Sequence, residues 1–219
     1  MKILSEVRYL VKKEIMLEWR SKYAFNGILL YVVSTVFVCY LAFKTTQPIV
    51  WNELFWIIML FAAVNAVAKS FIQESKGRIL YYYTIASPQA IIIAKTIYNI
   101  FLLLLITFIA FIIYKLVFAN ELGDPLLYLV SIFLGSLSFS TVFTMTSAIS
   151  SKAGNSGTLM AVLSFPVIIP LLMLLIKLSK NAMDGLERSV SYDEIGVLLL
   201  INIIVLSVSL LLFPYLWRD

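Results

Sequence analysis

Apolar residues in this chain come in six blocks of about twenty, and polar residues collect between the blocks and ahead of the first. A helix needs about 20 predominantly apolar residues to cross a hydrocarbon layer about 30 Å thick, so each block predicts a membrane span. The expected spans are residues 24–43, 50–68, 96–117, 126–149, 158–176 and 195–217. Glu53 is the only ionised residue of the second block and reads as an interfacial cap at its start. Lys115 lies near the end of the third, where a long stem can snorkel to the interface. Ahead of the first block, Leu4, Val7, Val11, Ile15 and Trp19 recur at helical spacing, with Ser5, Arg8, Lys12, Lys13 and Glu18 largely off that stripe. This pattern predicts an amphipathic helix over 1–23 lying in the membrane interface with Trp19 at headgroup depth; the alternative is packing on a soluble domain of a partner. The expected fold is therefore an all-α integral membrane protein with six transmembrane helices behind an N-terminal amphipathic interfacial helix. No internal repeat or low-complexity linker divides residues 1–219, so one membrane domain is expected, with a polar loop over 69–95.

Helix punctuation falls where this reading needs it. Asp124-Pro125 and Ser87-Pro88 each put a capping residue before a proline at the first helical position. Ser191 and Glu194 have capping-box spacing before the sixth span. The long basic start, with Glu6, Glu14 and Glu18 in it and no small-residue cleavage site after it, does not read as a secretory signal peptide.

Composition sharpens this picture. With 62% hydrophobic and 13% charged residues and a mean hydropathy of +0.98, the chain carries more apolar surface than a soluble domain of its size can bury. Soluble-enzyme, disordered and disulfide-rich classes are excluded. The net charge of +5 is uneven, since six of the 17 Lys and Arg lie in the first 22 residues. With the N-terminus inside, the cytoplasmic side collects Lys2, Arg8, Lys12, Lys13, Arg20, Lys22, Lys69, Lys76, Arg78, Lys95, Lys152 and Arg218. The other side holds only Lys44, Lys115, Lys177, Lys180 and Arg188, so both termini are expected in the cytoplasm.

Candidate chemistry is sparse. Histidine is absent, Cys39 stands alone, and no span carries an ionised residue through its middle, so acid–base catalysis at depth has no residues to use. No phosphate-binding G-x-x-x-x-G-K-[ST] occurs, and Gly154 to Thr158 lacks its lysine, so the chain is not expected to hydrolyse ATP itself. Neither a catalytic nor a metal site is expected. Asn65, Asn99 and Asn202 sit within spans, and Ser136, Ser140, Thr144 and Ser147 form a hydroxyl row on the fourth. Such a row suits close helix packing or the lining of a translocation path. Pro166 and Pro170 are expected to bend or break the fifth span, as a packing device or a gate. In the 69–95 loop, Glu74, Ser75, Lys76, Gly77 and Arg78 lead into Leu80, Tyr81, Tyr82 and Tyr83 and then Ser87-Pro88. Charge beside large anchors suits either a docking surface or a tyrosine-rich hairpin on lipid headgroups, and the residue chemistry leaves both open.

The order of these patterns resembles the haem-exporter B subunit family of bacterial cytochrome c maturation, the CcmB-type ABC permeases. The resemblance rests on Glu14-x-x-x-Glu18-Trp19-Arg20, Phe71-x-x-Glu74-x-x-x-Gly77-x-x-Leu80, Ala86-Ser87-Pro88 and Ala94-Lys95. It continues in Ala148-Ile149-Ser150-x-x-Ala153-Gly154 and Phe165-Pro166-x-x-Ile169-Pro170. Gln73 and Lys76 depart from it, standing where acids are expected, and Ser189 to Glu194 has no counterpart in it. The resemblance implies an ABC-2-type exporter permease fold in the bacterial inner membrane, working with a separate ABC ATPase subunit, haem-handling membrane subunits and a periplasmic haem chaperone. It implies coupling to the ATPase through Glu74 to Pro88 and two copies of this chain per complex. Ser150, Lys152 and Gly154 are a candidate second cytoplasmic contact. ATP would come through the partner, and haem would be handled by the complex; with no histidine, this chain is not expected to hold haem by a bis-His site. No nucleic-acid partner is expected, and the competing reading is a permease or membrane scaffold for another cargo.

Overall fold

The computed structural model describes residues 2–21, 23–43, 47–68, 71, 86–118, 122–151 and 156–218. Seven α-helices cover most of them: α1 Lys2–Ser21, α2 Tyr23–Ala42, α3 Pro48–Val67, α4 Pro88–Phe118, α5 Pro125–Ser150, α6 Ser156–Met183 and α7 Tyr192–Arg218. A short 3-10 turn, Arg188–Ser191, precedes α7, and no strand occurs among the described residues. Helices α2 to α7 are each long and apolar enough to cross a membrane. They run alternately away from and back to the α1 end, because each span must end where the next begins.

Helix α5 is the hub, packing on α3, α4, α6 and α7. Of its span, 72% is buried, against 17% of the equally apolar α2. Lipid tails are as apolar as leucine, so hydrophobicity alone does not draw a helix inward; small residues that permit close approach and polar groups that need partners do. α5 has both. Ser136 Oγ donates to Thr107 Oγ1 at 3.3 Å, Ser140 Oγ to the Thr96 carbonyl at 3.2 Å, and Asn99 Nδ2 of α4 to Thr144 Oγ1 at 2.8 Å. Ser147 Oγ reaches the Val67 carbonyl of α3 at 3.4 Å. On the α7 side, Asn202 Nδ2 donates to Ser138 Oγ while Thr141 Oγ1 donates to Asn202 Oδ1, both at 2.8 Å. The hydroxyl row is thus buried against α4 and α3.

Away from the α1 end, large rings fill the space between helices. Trp51, Phe55, Tyr114 and Tyr128 are fully buried and in mutual ring contact. The two tyrosine hydroxyls are tied down: Tyr114 Oη donates to the Trp51 carbonyl, and Tyr128 Oη to Asn52 Oδ1. Trp56 lies over Gly135 of α5 and donates Nε1–H to Ser179 Oγ of α6 at 2.8 Å.

The far end closes in a knot. Gly123 N–H donates to the Met183 carbonyl and Asp124 N–H to that of Ala182, stitching the start of α5 to the end of α6. Asp124 caps α5 as its sequence predicts, accepting Leu126 and Leu127 N–H ahead of Pro125, and also pairs with both Nε and Nη2 of Arg188. Those donors hold the Asp124 carboxyl below its ordinary value, the Arg188 hydrogen bond contributing most. The folded form therefore binds its proton less readily than the unfolded chain, so the contact supports the fold above the ordinary aspartate range and is lost as pH falls through the lowered value. In a melting-temperature series, wild type is expected to exceed Asp124→Asn near pH 7, with the difference shrinking as pH falls below about 4.

Several boundaries differ from the sequence reading. α4 starts at Pro88, as the Ser87-Pro88 pair predicts, and so extends about two turns ahead of the span expected from residue 96, while α6 runs to Met183 instead of about 176. In both cases a lysine taken as a boundary is neutralised by a distant acid: Lys95 by Glu14, and Lys177 by Glu194 at 2.6 Å. Glu194 is thereby diverted from a capping box, and Ser191 sits in the 3-10 turn accepting Asn181 Nδ2 at 3.1 Å. Glu53 is exposed in the second turn of α3, whose N-cap position is Gln47, so it does not cap that helix. α6 continues unbroken through Pro166 and Pro170, and both prolines lie on its exposed face, away from the helix contacts.

Candidate functional site

Glu6, Leu10, Glu14 and Glu18 are spaced by four residues, which puts them on one side of α1. That side lies along the first turns of α4. Glu6 Oε2 accepts both the backbone N–H of Ser87 at 3.0 Å and its Oγ–H at 2.8 Å. A carboxylate thus sits at the positive end of the α4 dipole, and Ser87 spends its hydroxyl on α1 instead of on its own helix. Glu14 Oε1 lies 3.4 Å from Lys95 Nζ and 3.0 Å from Lys13 Nζ. Glu18 accepts Phe25 N–H at 2.9 Å and Tyr98 Oη–H at 3.3 Å, so the same helix also fixes the start of α2.

Lys95 is the centre of this arrangement. It is 2% exposed, and its ammonium stands 4.8 Å from the centroid of the Phe71 ring. A desolvated cation over an aromatic face gains from the ring quadrupole as well as from its counter-charge. Phe71 in turn meets the Phe213 ring of α7 at 5.8 Å and joins a small apolar cluster with Ile91, Ile92 and Ala148, against which Leu10 packs. The start of α4 and the ends of α5 and α7 therefore converge on α1 through one lysine and one phenylalanine. Outside this contact Trp19 is 78% exposed and, with Phe25, Tyr98 and Phe101, lines an open apolar groove of about 330 Å³.

The sequence-predicted site residues distribute unevenly around this platform. Ser87 and Pro88 form its edge, at the start of α4. Ser150 is buried at the end of α5 and donates to its own helix at the Ser147 carbonyl. Glu74, Ser75, Lys76, Gly77, Arg78, Leu80, Tyr81, Tyr82 and Tyr83, together with Lys152 and Gly154, lie outside the described residues. Ser136, Ser140 and Thr144 are occupied in helix contacts, and Pro166 and Pro170 face outward. Glu6, Glu14, Glu18, Lys95 and Tyr98 were not singled out as site residues by the sequence, although the four-residue spacing of the acids with Leu10 was a visible signal. The apolar stripe Leu4–Val7–Val11–Ile15–Trp19 drew attention to the neighbouring face. Among the described residues, no group of three or more His, Cys, Asp or Glu could hold a metal ion.

Two segments far apart in sequence, Glu14 to Arg20 and Ala94-Lys95, thus meet at one salt bridge. Both lie inside the match of the CcmB protein family, which covers residues 5–215. The chain belongs to the CcmB family. No curated protein matches it. CcmB proteins are multi-pass inner-membrane permease subunits of the haem-exporting ABC system of cytochrome c maturation, and they work with an ABC ATPase and other components of that system. The six spans of this chain accord with that membership. Its match begins within α1 and ends in the last turn of α7, so the acid-bearing helix belongs to the CcmB unit.

Proposed function

We propose that this chain is the membrane lever of an ABC complex: a separate ATPase subunit docks on the segment from Glu74 to Pro88, and ATP turnover there drives haem delivery or release of a haem-loaded periplasmic chaperone. The observation that carries this reading is the anchoring of both flanks of that segment. Phe71 is fixed by Lys95 and Phe213, and Ser87 by Glu6. A segment held at both ends by packed helices can pass a push into the membrane, whereas one joined by slack chain cannot. The distribution of Lys and Arg supports a cytoplasmic α1 end, which is the side on which an ATPase would meet this segment. Glu74, Lys76 and Arg78 supply charge for register, and Leu80 to Tyr83 supply large anchors. Ser150, Lys152 and Gly154 form a second contact on the same side.

Two copies complete the transporter, since six spans make half of one. Haem is cargo here, and its ligation belongs to the partner subunits: the chain has no histidine and offers only Cys39, seven methionines and tyrosines. ATP is likewise bound by the partner.

Co-purification tests the docking assignment. Wild-type chain is expected to retain the ATPase subunit through detergent extraction, and Arg78→Glu to lose it by at least about tenfold, as for a truncated interface anchor. Retention by Arg78→Glu and Glu74→Lys at the wild-type level would refute it. At the level of the cell, deletion of the gene should abolish haem staining of c-type cytochromes while other haem proteins persist; undisturbed c-type staining would point to a different cargo.

A further inference from the structure

We infer that Glu14 is a positioning residue: through Lys95 it clamps Phe71 and the first turns of α4 into one unit with α1, so that movement of the intervening segment is delivered to α4. This rests on the function proposed above, because it assumes that the segment between Phe71 and Ser87 receives the ATPase.

The geometry makes the pair more than a surface ion pair. Lys95 is 2% exposed on a helix otherwise read as crossing lipid, where a cation without compensation is costly. Its stem leaves α4 at the second turn, and its ammonium reaches Glu14 on one side and the Phe71 ring on the other. One side chain therefore ties the last described residue before the segment to the helix that follows it. Glu6 makes the matching tie at Ser87. With Leu10 packed between them, α1 bridges both flanks from outside the bundle. A helix whose role was only to lie on headgroups would not need three carboxylates turned toward the protein. Such acids gain nothing from an anionic lipid surface and cost desolvation unless they are paired.

The inference separates fixing the segment from binding the ATPase. The double substitution Glu14→Gln with Lys95→Met keeps the volume of both side chains and removes the buried cation together with its carboxylate, while Lys13 is partly exposed to solvent, so the bundle should still fold. In the intact complex, Glu14→Gln/Lys95→Met is expected to retain the ATPase subunit and its ATP turnover, while c-type cytochrome formation per ATP falls about tenfold, in the range of measured site-to-site coupling. Lys95→Arg, which keeps a cation between Glu14 and the Phe71 ring, should retain most of the wild-type yield, a difference from the double variant that a role in packing alone would not produce.

Three results would overturn the inference. Cytochrome yield per ATP within about twofold of wild type in the double variant would show that the clamp carries no coupling. Loss of the ATPase subunit or of the folded chain in that variant would make the pair an assembly element. A yield in Lys95→Arg as low as in the double variant would remove the electrostatic link. Failure of the underlying reading looks different, because there the wild-type chain itself does not retain an ATPase subunit.

Discussion

Trp56→Ala is expected to lower the unfolding free energy by about 3 kcal/mol, read as a fall in melting temperature of the detergent-solubilised chain. Trp56 has no exposed surface and fills the meeting point of three helices. Its ring touches Phe55 within α3 and Phe139 of α5 edge-on, and its Nε1–H is satisfied by Ser179 of α6. The loss would not come mainly from transfer to water, since an unpacked span stays in an apolar medium. It would come from the cavity: dispersion contacts between protein atoms vanish and nothing of the right shape replaces them. Trp56→Phe should cost less, because it keeps most of the volume and gives up the hydrogen bond. Gly135 supplies the complementary test. A Cβ built there would stand 2.4 Å from Trp56 Cζ3, inside any real contact distance. Gly135→Ala should therefore destabilise by about 1–3 kcal/mol through overpacking. Near-wild-type melting of both Trp56→Ala and Gly135→Ala would mean that α3, α5 and α6 do not pack here.

A second large effect is expected from one methyl group at the far end. In Gly123→Ala the new Cβ would lie 2.5 Å from both N and Cα of Gly185 and 2.9 Å from the Met183 carbonyl oxygen. These are backbone atoms on a segment held by its own hydrogen bonds, and Gly185 has a φ of +65°, so neither side can yield by turning a rotamer. Relief requires the start of α5 to separate from the end of α6, which removes the bonds from Gly123 and Asp124 to Met183 and Ala182 and disturbs the Asp124–Arg188 pair. A loss of about 3 kcal/mol follows, at the upper end of overpacking costs. Gly27→Ala and Gly196→Ala are the controls, since no atom lies within 4 Å of a Cβ at either position. Both lie in helices, where alanine should be neutral or stabilise by up to about 1 kcal/mol. Equal melting temperatures for Gly123→Ala and the two controls would remove the far-end knot from the account.

What the sequence could reveal about the site depended on the range of the interactions. The segment from Glu74 to Pro88 was visible because charge, glycine and aromatic residues are local signals. The clamp across it was not, because Glu14 and Lys95 are 81 residues apart and each has an ordinary local reading, one as a residue of an interfacial helix and the other as the basic edge of a span. The partners of the hydroxyl row were equally out of local reach: Thr96, Asn99 and Thr107 of α4 meet Ser140, Thr144 and Ser136.

The sequence by itself determined the number of spans and the helix starts at Pro88 and Pro125. A bilayer demands about 20 apolar residues wherever a helix crosses, and a cap acts within one turn. Only the tertiary structure decided which helix lies at the centre and which face of α1 meets the bundle. Hydropathy reports exclusion from water, and in a membrane that criterion is met equally by a lipid-facing and a buried helix. α2 and α5 are equally apolar, yet α5 is buried and α2 largely is not. The choice falls to small residues, hydroxyls, amides and paired charges, whose partners are distant in sequence and are identified only when the chain has packed.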